Sequence, residues 1–335
     1  MIRRLLSRFG SNRPVAGIDA VVWAYRLFLD REPENAEVVA RTAAEGKSTA
    51  ELRRTFLSSD EYRVRSGDGG RPSLTGTEPP MAIDDVRDPA EVARLLEHIA
   101  KTWTRFGDTE PHYSVVTDEK FKADRIEANI DAFHAGGEHS IARLDAALAR
   151  NGVALGKDAT CFELGCGVGR LTAWLARRYA NVIATDISES HLALARAHLG
   201  AQGSSNVEFH RLLGVDSIDA LPAFDLFFSV IVLQHNPPPV ITAILDRIFA
   251  RLRPGGVAYF QVPTYRADYS FRLEEYLRED FGKGAMEMHV LPQRDVLRIA
   301  RRHGLELLEV IEDPYTGMRR GEVSNTFLLR KTQAE

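Results

Sequence analysis

Residues 161–186 read CFELGCGVGRLTAWLARRYANVIATD, and the reading of this stretch decides the fold. An apolar run, Cys161 to Leu164, carries an acid at Glu163 and stops at a glycine turn, Gly165, Gly167 and Gly169. A helix-forming segment follows, then a second apolar run that ends on Asp186. Strand, tight turn, helix, strand is the unit from which parallel sheets are built. Glycine tolerates positive φ and has no Cβ, so such a turn lets a ligand come close to the backbone. A helix opening near Gly169 offers unpaired N–H groups at the same point. An acid about twenty residues on, at the tip of the next strand, is placed to accept hydrogen bonds from ribose hydroxyls. The segment is organised to hold a nucleoside. The bland alternative is a glycine-rich turn that binds nothing.

Spacing separates the candidate nucleosides. A dinucleotide fold shows G-x-G-x-x-G, whereas this chain has G-x-G-x-G with an acid two residues before the first glycine. That form, ELGCGVGR over 163–170, resembles motif I of class I S-adenosylmethionine-dependent methyltransferases. The resemblance implies S-adenosyl-L-methionine as cofactor and an α/β, Rossmann-like seven-stranded sheet whose last strand is antiparallel. It implies that Glu163, Gly165, Cys166, Gly167, Gly169 and Arg170 bind the cofactor. Asp186 is expected on the ribose and Ile187 beside the adenine. Leu212, Leu213, Gly214, Val215 and Asp216 stand where the family grips the adenine ring, with Leu213, Gly214 and Asp216 as the expected contacts. Leu233 and Gln234 are expected to border the methionine moiety through their backbone.

From Ala159 onward strands and helices alternate. Apolar runs predict strands at 159–164, 181–186, 206–211, 224–231, 256–262, 305–311 and 324–331, and helices at 169–179, 189–199, 238–251 and 292–302. The last two strands have only a loop between them, so they pair antiparallel. Pro254-Gly255-Gly256 reads as a turn.

Upstream, four segments are expected: a small helical domain (1–65), a linker (66–90) rich in Gly, Pro, Ser and Asp, a helical cap (91–154), and the methyltransferase domain (155–335). In the first, Val21, Val22, Tyr25, Phe28 and Leu29 share one helical face, and Ser48 with Glu51 forms a capping box. The blocks AYRLFLDREPENAEVV and FLSSDEYR resemble the small helical domain appended to bacterial surface-glycan enzymes. The basic start, with Ile2, Leu5, Leu6 and Phe9, reads as a frayed helix or a weak interfacial contact. The cap is read as helices near 90–105 and 118–150 joined by an aromatic segment, and resembles the cap of sugar-modifying methyltransferases. Trp103, His112 and Tyr113 are candidates for the acceptor pocket, with ordinary aromatic packing as the alternative.

The 335 residues carry 43 Lys and Arg against 47 Asp and Glu, a formal charge of −4. That balance supplies no strong basic field, so nucleic acid is not the expected partner. Cys161 and Cys166 are too far apart along a strand end for a disulfide and read as small buried hydrophobes of a reducing compartment. No apolar run approaches a membrane span, and a cytoplasmic location is expected.

A hydroxyl acceptor must lose a proton during methyl transfer, and a histidine titrating near neutrality suits that work. His235, at the end of the strand-four segment, is the first candidate base, against a packing or capping role. An insertion after strand five carries Tyr265, Tyr269, Phe271, Tyr276, Phe281, Glu287 and His289. His289 and Glu287 are the second-choice bases, and the aromatic groups suit a polyol, a hydrophobic lid or a dimer contact equally. No tight ligand spacing marks a metal site. The resemblances together imply O-methylation of a sugar hydroxyl in surface-glycan biosynthesis. The partners are then a small-molecule or glycan acceptor and a protein met through the first helical domain. The rivals are an NAD(P)-dependent oxidoreductase and a non-catalytic binding module on the same fold.

Overall fold

The computed structural model describes residues 15–59, 61–62, 74, 76–278, 286–317 and 321–333. Phe281 and the segment Ile2 to Phe9 lie outside them. The chain divides into two compact units, 1–72 and 73–335.

The first unit holds three helices, α1 (Ile18–Leu29), α2 (Ala36–Ala44) and α3 (Thr49–Leu57). Ser48 and Glu51 close the expected capping box at the start of α3. Val21, Leu29, Val39, Leu52 and Phe56 make the core, and the Tyr25 ring meets Phe56 edge-on at 4.9 Å.

In the second unit a short strand β1 (Ala82–Ile83) precedes the cap helices. These are α4 (Pro89–Thr109), α5 (Pro111–Val115), α6 (Ile130–Ala135) and α7 (Gly137–Arg150). Then follow β2 (Thr160–Leu164), α8 (Thr172–Ala176), β3 (Asn181–Asp186), α9 (Glu189–Ala201), β4 (Val207–Arg211), β5 (Phe224–Ser229) and α10 (Pro238–Arg251). The chain continues with β6 (Leu252–Arg266), β7 (Ser270–Phe271), α11 (Leu273–Tyr276), α12 (Gln293–Arg302), β8 (Leu305–Glu312) and β9 (Glu322–Lys331). The main sheet runs β4-β3-β2-β5-β6-β9-β8. β2 to β6 pair in parallel, and β9 lies antiparallel between β6 and β8. The reversed last strand is therefore present.

Side chains alternate across each strand, so Phe162, Phe227 and Phe260 meet α4, α10 and α12 on one face. Cys161, Leu226 and Phe228 meet α7 and α8 on the other. Both cysteines are free and buried. The order reverses direction at β2, which has β3 on one side and β5 on the other. Ligands of open α/β sheets lie beyond the strand C-termini at such a point.

Three local expectations need correction. The helix after the glycine turn starts at Thr172 and ends at Ala176, and Gly169 N–H closes a turn on the Cys166 carbonyl oxygen ahead of it. The expected helix over 118–150 is broken: Asp118 caps a 3₁₀ turn, and α6 ends at Gly136 where α7 begins. A Cβ on Gly137 would come within 2.6 Å of the Arg170 carbonyl oxygen, so this crossing demands glycine. Gly255, with φ 80, sits inside β6, where the register to β5 is irregular between Phe224 and Leu226.

Candidate active site

The glycine turn is tied to the tip of β3. Gly165 and Cys166 donate their N–H groups to the Thr185 carbonyl oxygen at 2.8 and 2.9 Å. Gly167 N–H donates to Asp186 Oδ2 at 2.9 Å, and Ser188 N–H donates to Oδ1 at 2.9 Å. All three glycines have positive φ (74, 54 and 83), but each faces the protein's own atoms. A side chain at 165 would collide with Val232, one at 167 would lie 2.6 Å from Val115 Cγ2, and one at 169 would lie 2.8 Å from Leu199 Cδ2.

A cavity opens beyond β2, β3 and β5. Its walls carry Glu163, Gly165, Cys166, Gly167, Arg170, Asp186, Ile187, Gly214 and His235 of the expected residues. Gly169 is not among them; it seats α9 against the turn. Leu213 is 77 % exposed and Asp216 is exposed, so neither faces inward. Leu212, and Val215 and Ile218 of the 3₁₀ turn Val215–Ala220, line it instead. Leu233 and Gln234 are buried behind the wall, which is formed by Val230, Ile231 and Val232. From the cap, Trp103 and Ser114 reach the cavity. His112 packs edge-on against Phe133 at 5.1 Å, and Tyr113 lies under the Lys122 ammonium at 5.3 Å, both away from it.

Charge inside the cavity is arranged in opposition. Glu163 is almost wholly buried and accepts a hydrogen bond from Thr172 Oγ1 at 2.7 Å. Burial pushes its carboxyl up to about 7, with the nearby Asp186 charge adding to the effect. Arg170 is also buried, burial lowers its pKa, and its Nε has no hydrogen-bond partner among the described residues. A buried carboxylate and a buried, incompletely paired guanidinium on one wall can satisfy the ammonium and carboxylate of a bound amino acid. The Asp186 oxygens each keep lone-pair capacity beyond their backbone bonds. The residues present therefore fit the aminoacyl and ribose groups of S-adenosylmethionine.

His235 is held from both sides. Its Nδ1–H donates to the Glu287 carbonyl oxygen at 2.7 Å, and the Gln234 amide faces its Nε2 at 3.3 Å. Burial pushes its pKa down to about 4. The Gln234 amide is itself fixed by Gln261, whose Nε2 donates to Gln234 Oε1 at 3.0 Å. Gln261 Oε1 accepts the N–H of Ile231 at 3.0 Å. Ile231 has φ 61, which a β-branched residue rarely adopts, so this bond supports a strained stretch of the wall.

His289 does not reach this cavity. It lines a second one, about 490 Å³, at the C-terminal end of β6, with Tyr269, Phe271, Tyr276 and Glu287. There Glu287 Oε2 accepts from Tyr276 Oη at 2.6 Å and from His289 Nε2 at 3.0 Å, while His289 Nδ1 faces Tyr269 Oη at 2.8 Å. Burial raises the Glu287 pKa, but the bonds from His289 and Tyr276 outweigh it and hold the carboxyl below its ordinary value. Tyr265 instead donates to the Pro79 carbonyl oxygen at 2.8 Å.

His191 and Ser114 are among the wall residues that the sequence reading does not single out. The signal for the first was available: Ser188 caps α9, so His191, in the first turn of that helix, is turned back under Asp186.

The sheet order, with β9 reversed between β6 and β8, and a cavity whose lining fits S-adenosylmethionine are those expected of a class I methyltransferase. Residues 162–256 match the family model described as a methyltransferase domain. A trans-aconitate 2-methyltransferase of Deinococcus radiodurans is 37% identical over 111 residues, 33% of this chain and 40% of that protein. The chain thus spans well under half the length of that relative. A ubiquinone biosynthesis O-methyltransferase of Acinetobacter baylyi is 25% identical over 229 residues, 67% of this chain and 84% of that protein. A solved magnesium protoporphyrin IX methyltransferase from Synechocystis PCC 6803 is similar with a TM-score of 0.43 and 18% identity, covering 59% of this chain and 84% of that one. Among the described residues no helix is long and apolar enough to cross a membrane.

Proposed function

We propose that this chain methylates an oxygen of a small hydroxylated acceptor, a sugar hydroxyl of a surface glycan being the first candidate. The observation that carries the methyl-transfer reading is the opposition of Glu163 and Arg170 on the wall that also carries Asp186. S-adenosylmethionine, when bound, supplies an electrophilic methyl group. Glu163 takes its ammonium, Arg170 its carboxylate and Asp186 its ribose. Gly167 and Ile187 line the same space. Trp103 and His235, with ring centroids 5.0 Å apart, stand on the acceptor side. Methyl transfer is an in-line displacement, so these groups act chiefly by alignment, an effect that reaches about 7–11 kcal/mol in favourable systems. The oxygen acceptor is supported by the named chemistry of the ubiquinone biosynthesis relative. The polyol reading is supported by the resemblance of the first helical unit to those of surface-glycan enzymes. That unit is the proposed site of a protein partner, and the enzyme's proposed location is the cytoplasm.

The test is calorimetric titration with S-adenosylhomocysteine beside NADH and NADPH, followed by transfer of labelled methyl to a panel of sugars, phenols and carboxylates. Binding of the homocysteine product with label appearing on a sugar is the expected result. Label confined to carboxylates or phenols would remove the glycan reading and leave the methyltransferase standing.

A further inference from the structure

His191 lines the cavity and is 1 % exposed, yet its Nδ1 has no hydrogen-bond partner among the described residues. The proton positions on the ring follow from its neighbour on the cap. Ser114 Oγ lies 2.9 Å from the Pro111 carbonyl oxygen, which can only accept, so the single hydroxyl proton is committed there. The His191 Nε2, 3.0 Å from the same Oγ, must then be the donor. In the neutral ring Nδ1 is then a bare acceptor, 3.7 Å from Asp186 Oδ1. Two acceptors side by side, one of them buried and unpartnered among the described residues, are costly unless donors reach both of them. Adjacent hydroxyls of a ribose are donors of that kind.

We infer that His191 is a second reader of the cofactor's ribose: Nδ1 accepts one hydroxyl while the Asp186 carboxylate accepts the other. Ser114 is the positioning residue, fixing the tautomer from the cap. Packing against α4 holds these groups in place. Gly107 of α4 lies against Ser188 and His191, and a Cβ there would strike Ser188 Oγ and sit 3.4 Å from His191 Nδ1. The cap is therefore part of the cofactor site as well as a cover for the acceptor.

The experiment is calorimetric titration of the full chain with S-adenosylhomocysteine and with its 2′-deoxy and 3′-deoxy analogues. Wild type, His191→Leu, His191→Asn and Ser114→Ala are compared, with thermal melts of each apo protein. The wild type is expected to bind both deoxy analogues more weakly than the parent. His191→Leu is expected to weaken the parent about tenfold and to leave unchanged the affinity for the one analogue lacking the hydroxyl that Nδ1 reads. His191→Asn, whose Oδ1 replaces Nδ1 as acceptor, should retain most of the parent's affinity. Ser114→Ala should show the same analogue-selective loss, smaller in size, and carries the test if the leucine variant does not fold. Equal weakening of all three ligands, or no weakening at all, would overturn the assignment. Failure of the wild type to bind the parent would strike at the cofactor itself and not at His191.

Discussion

Thr172 donates its hydroxyl proton to Glu163 across 2.7 Å, at a point closed to water, and burial holds the Glu163 carboxyl at about 7 against an ordinary 4.5. Between those values the folded chain keeps a proton that the unfolded chain has released. The contribution of this group to stability is therefore greatest below about pH 4.5, falls as pH rises and is lowest above about 7. A shift of that size corresponds to about 3 kcal/mol. Glu163→Gln keeps an acceptor for Thr172 and removes the charge. Its denaturation midpoint should exceed the wild type's at pH 8 and converge on it at pH 5; a gap independent of pH would mean the carboxyl is not the source.

Cofactor binding should report the same carboxyl with the opposite sense. A bound ammonium favours the carboxylate, so S-adenosylhomocysteine should expel a proton on binding below about pH 7. The affinity should fall by up to about tenfold per pH unit from there toward pH 5. Titration in two buffers of different ionisation enthalpy counts the proton. Glu163→Gln should bind more weakly and show a flat pH dependence.

Arg170 offers a complementary test of orientation. Its guanidinium is buried on the same wall with Nε unpartnered among the described residues. If it holds the aminoacyl carboxylate, Arg170→Met should weaken S-adenosylhomocysteine by about 1.5–3 kcal/mol, the range for hydrogen bonds to charged groups. Methylthioadenosine, which lacks the aminoacyl end, should bind wild type and variant alike. A matching loss for both ligands would place Arg170 in the architecture of the turn and not on the carboxylate.

Much of this site was legible because the constraints on it are local. Positive φ at Gly165, Gly167 and Gly169 and an acid at the strand tip are written in residue types, and the alternation of apolar runs carried the sheet with them. The side of a loop that faces inward is not written that way. Leu213, Asp216, Leu233 and Gln234 are expected on the cavity because they follow strand ends, but Leu213 and Asp216 are exposed, and the 3₁₀ turn Leu233–His235 leaves Leu233 and Gln234 behind the wall. Ser114 belongs to the cap, and its approach depends on tertiary packing that no periodicity reports.

Gly169 shows how a motif residue can serve packing while its neighbours face the ligand. With φ 83, and with Leu199 Cδ2 at 2.8 Å and Ala195 Cα at 3.2 Å from a hypothetical Cβ, alanine would be strained in the backbone and in contact. Gly169→Ala should lower stability by about 1–3 kcal/mol, read as a drop in melting temperature. Cofactor affinity, measured well below that temperature, should change far less. Loss of affinity at unchanged stability would return Gly169 to the cofactor wall.

His235 gives the last prediction, because its environment limits what it can do. Its Nδ1–H is committed to the Glu287 carbonyl oxygen at 2.7 Å and its Nε2 faces the Gln234 amide at 3.3 Å. With burial holding it at about 4 against an ordinary 6.5, the imidazole is neutral throughout the physiological range. The unfolded chain binds the extra proton first as pH falls, so this group contributes stability that is present above about 6.5 and is lost toward about 4. A base of that pKa is ready to accept a proton at any working pH but drives the transfer weakly. Once an acceptor is in hand, His235 should add no break to the pH profile of kcat/KM between 5 and 8, and any break there belongs to another group. His235→Gln should leave S-adenosylhomocysteine affinity within about twofold, since a modest hydrogen-bond change is the most it makes there, and should lower turnover if the imidazole takes the proton. Gln234→Leu, which releases Nε2, should then raise the pH at which turnover falls off, whereas an unchanged profile in that variant would remove His235 from proton transfer and leave it a wall beside Trp103.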